Sequence, residues 1–263
     1  MLIARRKDQA KYSQLWDELR SGLYPGAGPS GARLYDLSGC DNHATLTNGP
    51  TWVDSRGRKA ISFDGVNDYI DAPKAALIGN RWTLSVWATY RSVGTSQCLF
   101  SQFTSGTVGR AFLVVNYNRV TGDVAANHLS FGTTESPAVN SLGTGTAVVS
   151  VNTMFHAVVR ASGDEISLWL NGTQIATQAY SVNIQNTVST IGRLGNLSTF
   201  FLNGTVSETL AYSRPLHADE IKLLAQRPGI IFEPKRRVFY SIPTGVKAWL
   251  FRRQSQIIGG GLG

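Results

Sequence analysis

The chain has 263 residues, of which 42% are apolar and 16% charged. That is enough to build one substantial core, and it excludes a disordered segment. No apolar run reaches the roughly 20 residues of a membrane-spanning helix, so no element suits membrane insertion. The two cysteines, Cys40 and Cys98, lie far apart and outside any CxxC, which excludes a disulfide framework.

The net charge of +8 is concentrated at the ends. Arg5, Arg6, Lys7 and Lys11 open the chain, and MLIARRKDQA is too short in apolar residues to be a secretory leader. A chain made in a cytoplasm is therefore expected. The stretch SQLWDELR at 13–20 predicts two helical turns with Leu15, Trp16 and Leu19 on one side. Gly22 and then PGAGPSG at 25–31 break any helix. Residues 1–22 are thus expected to form a basic arm, separate from the body at 23–228.

In the body the pattern becomes that of strands. WTLSVWATY at 82–90 alternates, with Trp82, Leu84, Val86, Ala88 and Tyr90 on one face and Thr83, Ser85, Trp87 and Thr89 on the other. Further strands are predicted at 60–63, 98–102, 112–117, 128–132, 147–151, 155–161, 166–170, 174–179, 187–192 and 204–212. Asn171-Gly172 supplies the two positive-φ residues of a tight hairpin turn. One helix interrupts, at 218–226. His217 holds its N-cap position, Asp219 and Glu220 its first turn, and Pro228-Gly229 end it. Many short, evenly spaced strands make the expected fold an all-β antiparallel sandwich of jelly-roll type, with one short C-terminal helix and extended terminal arms.

The last segment, 229–263, mixes aromatics, prolines and arginines without a period. It is too apolar to be a solvated tail and is expected to pack along the body or along a neighbouring subunit.

Three stretches carry a resemblance. LYDLSGCDNHATLTNGPTWV at 34–53, ISFDGVNDYIDAP at 61–73 and GTVSETLAYSRPLHADEI at 204–221 resemble the opening, middle and closing motifs of laminin-G-like, concanavalin A-like jelly-roll domains. The tail IIFEPKRRVFY at 230–240 resembles a continuation found in laminin-G-like proteins of tailed bacteriophages. The resemblance implies a sandwich that binds proteins or sugars, sometimes with calcium. It also implies residence in a virion, reached from the host cytoplasm by lysis. In the closing motif Ser207 stands where the family carries an Asp, so one acidic ligand is lacking.

Calcium would look to Asp64, Asn67, Asp68 and Asp71, with Asp36 and Asp41 in the preceding motif, because a hard cation wants converging oxygens. Against this, Asx side chains in such loops cap turns, and that reading is preferred. No cofactor is required. Glycoside hydrolysis needs two facing carboxylates. No strand carries an acidic pair at i, i+2: Asp164-Glu165 reads as a turn, Glu135 as a loop residue, and Glu208 stands alone. His43, His128, His156 and His217 are scattered, and His156 reads as a structural, hydrogen-bonded residue. Trp87 and Trp169 could stack on sugars, but Trp82 and Trp169 are assigned to the core.

The expected function is thus non-enzymatic: a structural component of a tailed-phage virion, in its tail or decorating its capsid. The sandwich would contact proteins or a surface glycan, and the arms would anchor it. The docking residues are Arg5, Arg6, Ile231, Phe232, Lys235, Arg236, Arg237, Phe239, Tyr240, Trp249, Phe251, Arg252 and Arg253. The partners are other virion proteins, tail or capsid subunits, and further copies of the chain. The alternatives are a host-surface lectin and a glycan hydrolase. Nucleic acid is disfavoured, since no basic groove is interleaved with aromatics.

Overall fold

The computed structural model describes residues 7–72, 76–102, 110–117, 124–135, 138–144, 146–184, 188–195, 197 and 199–235. In chain order the strands are β1 Leu19–Leu23, β2 Arg33–Leu34, β3 Ala44–Thr47, β4 Thr51–Ser55, β5 Arg58–Asp64, β6 Tyr69–Ala72, β7 Arg81–Tyr90 and β8 Gln97–Gln102. They continue as β9 Arg110–Tyr117, β10 Val124–Glu135, β11 Ala138–Gly143, β12 Phe155–Ser162, β13 Glu165–Leu170, β14 Thr173–Ala179, β15 Ser189–Ile191 and β16 Asn203–Tyr212. Among the described residues one α-helix, α1, spans Ala218–Leu224.

Two antiparallel sheets face each other. The first runs β14-β13-β12-β7-β16-β5-β4, with β1 also paired to β16; the second runs β11-β10-β9-β8-β15-β6-β3-β2. The jelly-roll sandwich expected from the spacing of strands is what forms. Its core lies between the sheets. The alternation in β7 puts Trp82, Leu84, Val86, Ala88 and Tyr90 there, all 0% exposed, against Ile70, Phe100, Leu113 and Phe131 of the second sheet. The β13–β14 hairpin turns at Asn171 (φ +49) and Gly172 (φ +82), as its Asn-Gly predicts. His217 is the N-cap of α1, and its N–H donates to Glu220 Oε2 at 2.8 Å.

The outward face of β7 departs from expectation. Thr83, Ser85 and Trp87 are buried too, because the outer face of the first sheet has a roof. Val158, Trp169, Leu210 and Tyr212 of the sheet pack there against Ala10, Leu15, Trp16, Tyr24, α1 and Ile230–Phe232. The Trp16 indole N–H donates to the Ile231 carbonyl at 3.0 Å, and the Phe232 ring stacks on Tyr24 at 5.1 Å.

Both boundaries of the body therefore move outward. From Ala10 onward the expected N-terminal arm is part of the body, and so is the chain to Phe232. The predicted helix at 13–20 is a single 3-10 turn, Ser13–Trp16, followed by β1. The reason is tertiary: the edge of β16 offers unpaired N–H and C=O groups, and Leu19–Leu23 satisfies them. Leu15, Trp16 and Leu19 are still buried together, as their pattern suggested.

Residues 147–151 do not form a strand. Val148 and Val149 both donate their N–H to the Asn127 carbonyl, and Val149 turns into the core. Strands β3, β4 and β6 are short and half polar, so apolar alternation does not reveal them.

Candidate binding site

The residues considered for a cation do not converge. After β5 the chain turns at Gly65 (φ +80), and Asp64 Oδ1 accepts the N–H groups of Val66 (2.8 Å) and Asn67 (3.3 Å). Burial pushes the Asp64 carboxyl up, but these N–H donors and that of Asp68 outweigh it and hold it below its ordinary value. Asp68 Oδ2 accepts the Asp64 N–H at 3.1 Å. Burial and the neighbouring Asp64 charge raise its carboxyl. Asn67 lends its carbonyl to Asn48. Asp71 stands apart, on β6, 3.6 Å from Arg193, whose guanidinium also covers Tyr69. Among the described residues no three His, Cys, Asp or Glu gather as a metal site.

Of the acids considered for hydrolysis, Asp164 and Glu208 are each engaged by their own surroundings. Asp164 accepts from Ser162 in its turn. Glu135 is the last residue of β10 rather than a loop residue. Glu208 is 0% exposed. Its Oε2 accepts the Gly229 N–H at 2.6 Å, and burial pushes the carboxyl up to about 8, against the pull of that N–H and of Arg58. Its position could not be read from the sequence, since it follows a bulge between Val206 and Glu208 that shifts the β16 register against β7.

His156 is structural: its Nε2 is 2.8 Å from Ser85 Oγ, its ring stacks on Trp87, and burial holds it down at about 3. Trp82 is in the core and Trp169 under the roof; Trp87 is also buried, with its N–H on the Leu224 carbonyl.

The docking residues divide into three groups. Ile231 and Phe232, both 0% exposed, are a correction: they are buried in their own chain and present no surface to a partner. The apolar run finds its own sheet before it meets any partner. Lys235 is exposed, and its backbone N–H donates to the Gln9 carbonyl at 2.8 Å. Arg5, Arg6, Arg236, Arg237, Phe239, Tyr240, Trp249, Phe251, Arg252 and Arg253 lie outside the described residues.

What the fold does present is a cleft of about 470 Å3 between the 25–30 turn and the loop after β2, with Tyr24, Pro29, Ser30, Tyr35, Asp36 and Leu37 in its walls. Tyr35 is 49% exposed. Its ring meets His43 edge-on at 5.2 Å, and the Arg33 guanidinium lies over it at 5.3 Å.

Asp36 builds the wall. Its Oδ1 accepts the N–H groups of Gly22 (2.7 Å) and Ser38 (2.9 Å), and its Oδ2 accepts the Ser38 hydroxyl (2.6 Å) and the Asn42 N–H (2.9 Å). The cleft thus has an aromatic platform and fixed polar groups. Among the described residues that line it, the one carboxylate, Asp36, is saturated by β1 and by the loop it holds.

A family described as the concanavalin A-like lectin/glucanases superfamily (Laminin_G_3) matches residues 64–222. No curated protein matches by sequence. Several solved structures share the fold. Domain 4 of AbnA, a GH43 extracellular arabinanase from Geobacillus stearothermophilus solved with arabinotriose, is 15% identical with a TM-score of 0.66, over 83% of this chain and 100% of that one. The binding domain of Paraclostridial Mosquitocidal Protein 1 is 18% identical with a TM-score of 0.63, over 81% of this chain and 52% of that one. Trypanosoma rangeli sialidase in complex with sialic acid is 17% identical with a TM-score of 0.55, over 79% of this chain and 32% of that one. The chain thus spans about half of the toxin domain and a third of the sialidase.

Proposed function

The chain belongs to the concanavalin A-like lectin/glucanases superfamily, and on that premise we propose that it is a non-enzymatic binding domain whose ligand is a saccharide held against Tyr35. A fold alone does not assign a function, so the weight falls on the cleft. The carrying observation is a half-exposed tyrosine ring beside a carboxylate with four hydrogen bonds already made. Sugar rings present apolar C–H faces to an aromatic, and their hydroxyls need polar partners, for which the Ser30 hydroxyl lies in the same cleft. A carboxylate saturated in this way is unsuited to proton transfer, and glycoside hydrolysis needs a facing pair. The arabinanase domain solved with arabinotriose supports a saccharide as the class of ligand.

A glycan array followed by calorimetry tests this. Tyr35→Ala is expected to weaken the selected glycan about tenfold, the worth of one stacked ring, with the melting midpoint unchanged. No reducing sugar should be released. Undiminished binding by the variant would remove the cleft from the reading, and hydrolysis would replace the reading with an enzyme. No cation is needed, so calcium is expected to leave the melting midpoint where it stands. A rise of several degrees would return calcium to the Asp64–Asp68 loop.

A second reading sets the domain in a tailed-phage particle, made in the host cytoplasm and joined to other virion proteins and to its own copies. It is favoured by the anchoring of the tail. The Ile230–Phe232 plug and the Lys235 bond to Gln9 hold the C-terminal end of the described residues against the body. Residues 236–263 carry Phe239, Tyr240, Trp249 and Phe251 among Arg236, Arg237, Arg252 and Arg253. Truncation after residue 235 should leave the fold intact and abolish incorporation into particles.

A further inference from the structure

On the outer face of the first sheet, beside the roof, lies a recess of about 200 Å3. Arg56, Arg58, Lys59 and Arg227 line it, above buried Ser207 and Trp87. Its charges do not cancel. Lys59 is paired with Asp54 at 3.0 Å, and Arg227 with Glu233. Arg58 donates to a neutral group, the Tyr24 hydroxyl, at 2.5 Å. Arg56 has no ion pair among the described residues. Glu208, behind Arg58, is pushed up to about 8 by burial and so carries little charge at neutral pH.

A buried hydroxyl also waits for a partner. Ser207 is 4% exposed, lines the recess, and among the described residues its Oγ has no hydrogen-bond partner. Buried polar atoms are normally satisfied. Ser207 lies between Val206 and Glu208, at the step of the bulge, a device that re-aims side chains.

The hairpin carrying Arg56 adds to this. Arg56 (φ +50) and Gly57 (φ +77) form the turn between β4 and β5. Asn is the usual residue at that first position, and Arg is a strained choice there. Backbone geometry does not explain the arginine, whereas a role for its guanidinium does.

The recess continues through Ser55, Arg56 and Met154 into a second of about 290 Å3, where Thr89, Asn152 and Thr205 supply uncharged polar groups. Arg91 and Asp54 also line it, but Arg91 is held by Ser62 and two carbonyls, and Asp54 by Lys59.

We propose that this recess binds an oxyanion, the carboxylate, sulfate or phosphate of a small polar ligand, with the guanidinium groups of Arg56 and Arg58 and the Ser207 hydroxyl donating to its oxygens. The inner volume equals roughly seven waters, which suits one acidic group. The ligand's uncharged body lies in the second recess. Only the Tyr24 wall is shared with the Tyr35 cleft, and the site does not depend on a saccharide being bound there.

The full chain is titrated calorimetrically with inorganic phosphate, inorganic sulfate and glucuronate as separate arms, at low and high sodium chloride. Saturable binding of one or more, weakening with salt, is expected. The tightest arm identifies the oxyanion. Arg56→Asn should weaken it about tenfold, the worth of one charge-assisted hydrogen bond, while raising the melting midpoint, because Asn suits the turn. Ser207→Ala should weaken it several-fold in a chain that still folds. Tyr35→Ala should leave it unchanged, which separates this site from the saccharide reading. No saturable binding in any arm, or binding indifferent to Arg56→Asn and Ser207→Ala, overturns the proposal.

Discussion

Phe232→Ala is expected to destabilise the fold by about 3–5 kcal/mol, the range for deleting a large buried ring. Phe232 is 0% exposed, stacked on Tyr24 at 5.1 Å and edge-on to Trp16 at 5.6 Å. It joins the C-terminal segment to the N-terminal one across the first sheet, so its loss opens a cavity with walls from three parts of the chain. Urea unfolding followed by tryptophan fluorescence measures the effect. Lys235→Ala, at an exposed position, is the control and should lie within about 0.5 kcal/mol of the parent. A change below about 1 kcal/mol for Phe232→Ala would mean that the roof is not part of the cooperative fold. It would also restore Ile231 and Phe232 as candidates for docking.

Stability should run level between about pH 4.5 and 6.5 and decline on both sides, for two buried groups with opposite shifts. Burial raises Glu208 in the fold from an ordinary 4.5 to about 8. The folded chain therefore holds that proton more tightly, and its stability falls as pH rises through this window. Burial lowers His156 from 6.5 to about 3, so the folded chain keeps the ring neutral, and stability falls as pH drops through that window. Where the windows overlap, the two slopes oppose each other. Above 6.5 Glu208 acts alone, at about 1.4 kcal/mol per pH unit, or roughly 2 kcal/mol by pH 8. Glu208→Gln, which cannot ionise, should lose this alkaline decline and keep the acid one. An unchanged alkaline slope in that variant would show that Glu208 is already charged in the folded chain, through Arg58 and the Gly229 N–H.

Where local chemistry had a single solution, the sequence was legible. The alternation in 82–90 allowed one inward face, and that face is the core. Asn171-Gly172 allowed a tight primed turn, and the residues around His217 allowed a helix start. The three motifs at 34–53, 61–73 and 204–221 pointed to a superfamily whose match covers 64–222.

The candidate sites were less legible, because each depends on what crosses a residue in space. Asp64, Asn67, Asp68 and Asp71 are near neighbours in sequence, but β6 carries Asp71 away to Arg193. Tyr35 looks like any loop tyrosine until the 25–30 turn faces it. Arg56 and Arg227, 171 positions apart (227 − 56), line one recess because the chain returns over the first sheet after α1.

By itself, then, the sequence determined the all-β sandwich, its inward faces, its sharpest turn and the start of its helix. These follow from periodicity and backbone preference within a few residues. The tertiary structure alone decided that the segments around Leu15–Tyr24 and Ile230–Phe232 close over the first sheet, that Ile231 and Phe232 serve the chain's own core, and that Ser207, at a bulge beside the arginines, has no partner among the described residues. The physical reason is that apolar burial is non-directional. An aperiodic greasy segment satisfies any complementary face within reach, and only the packed sandwich determines which face that is.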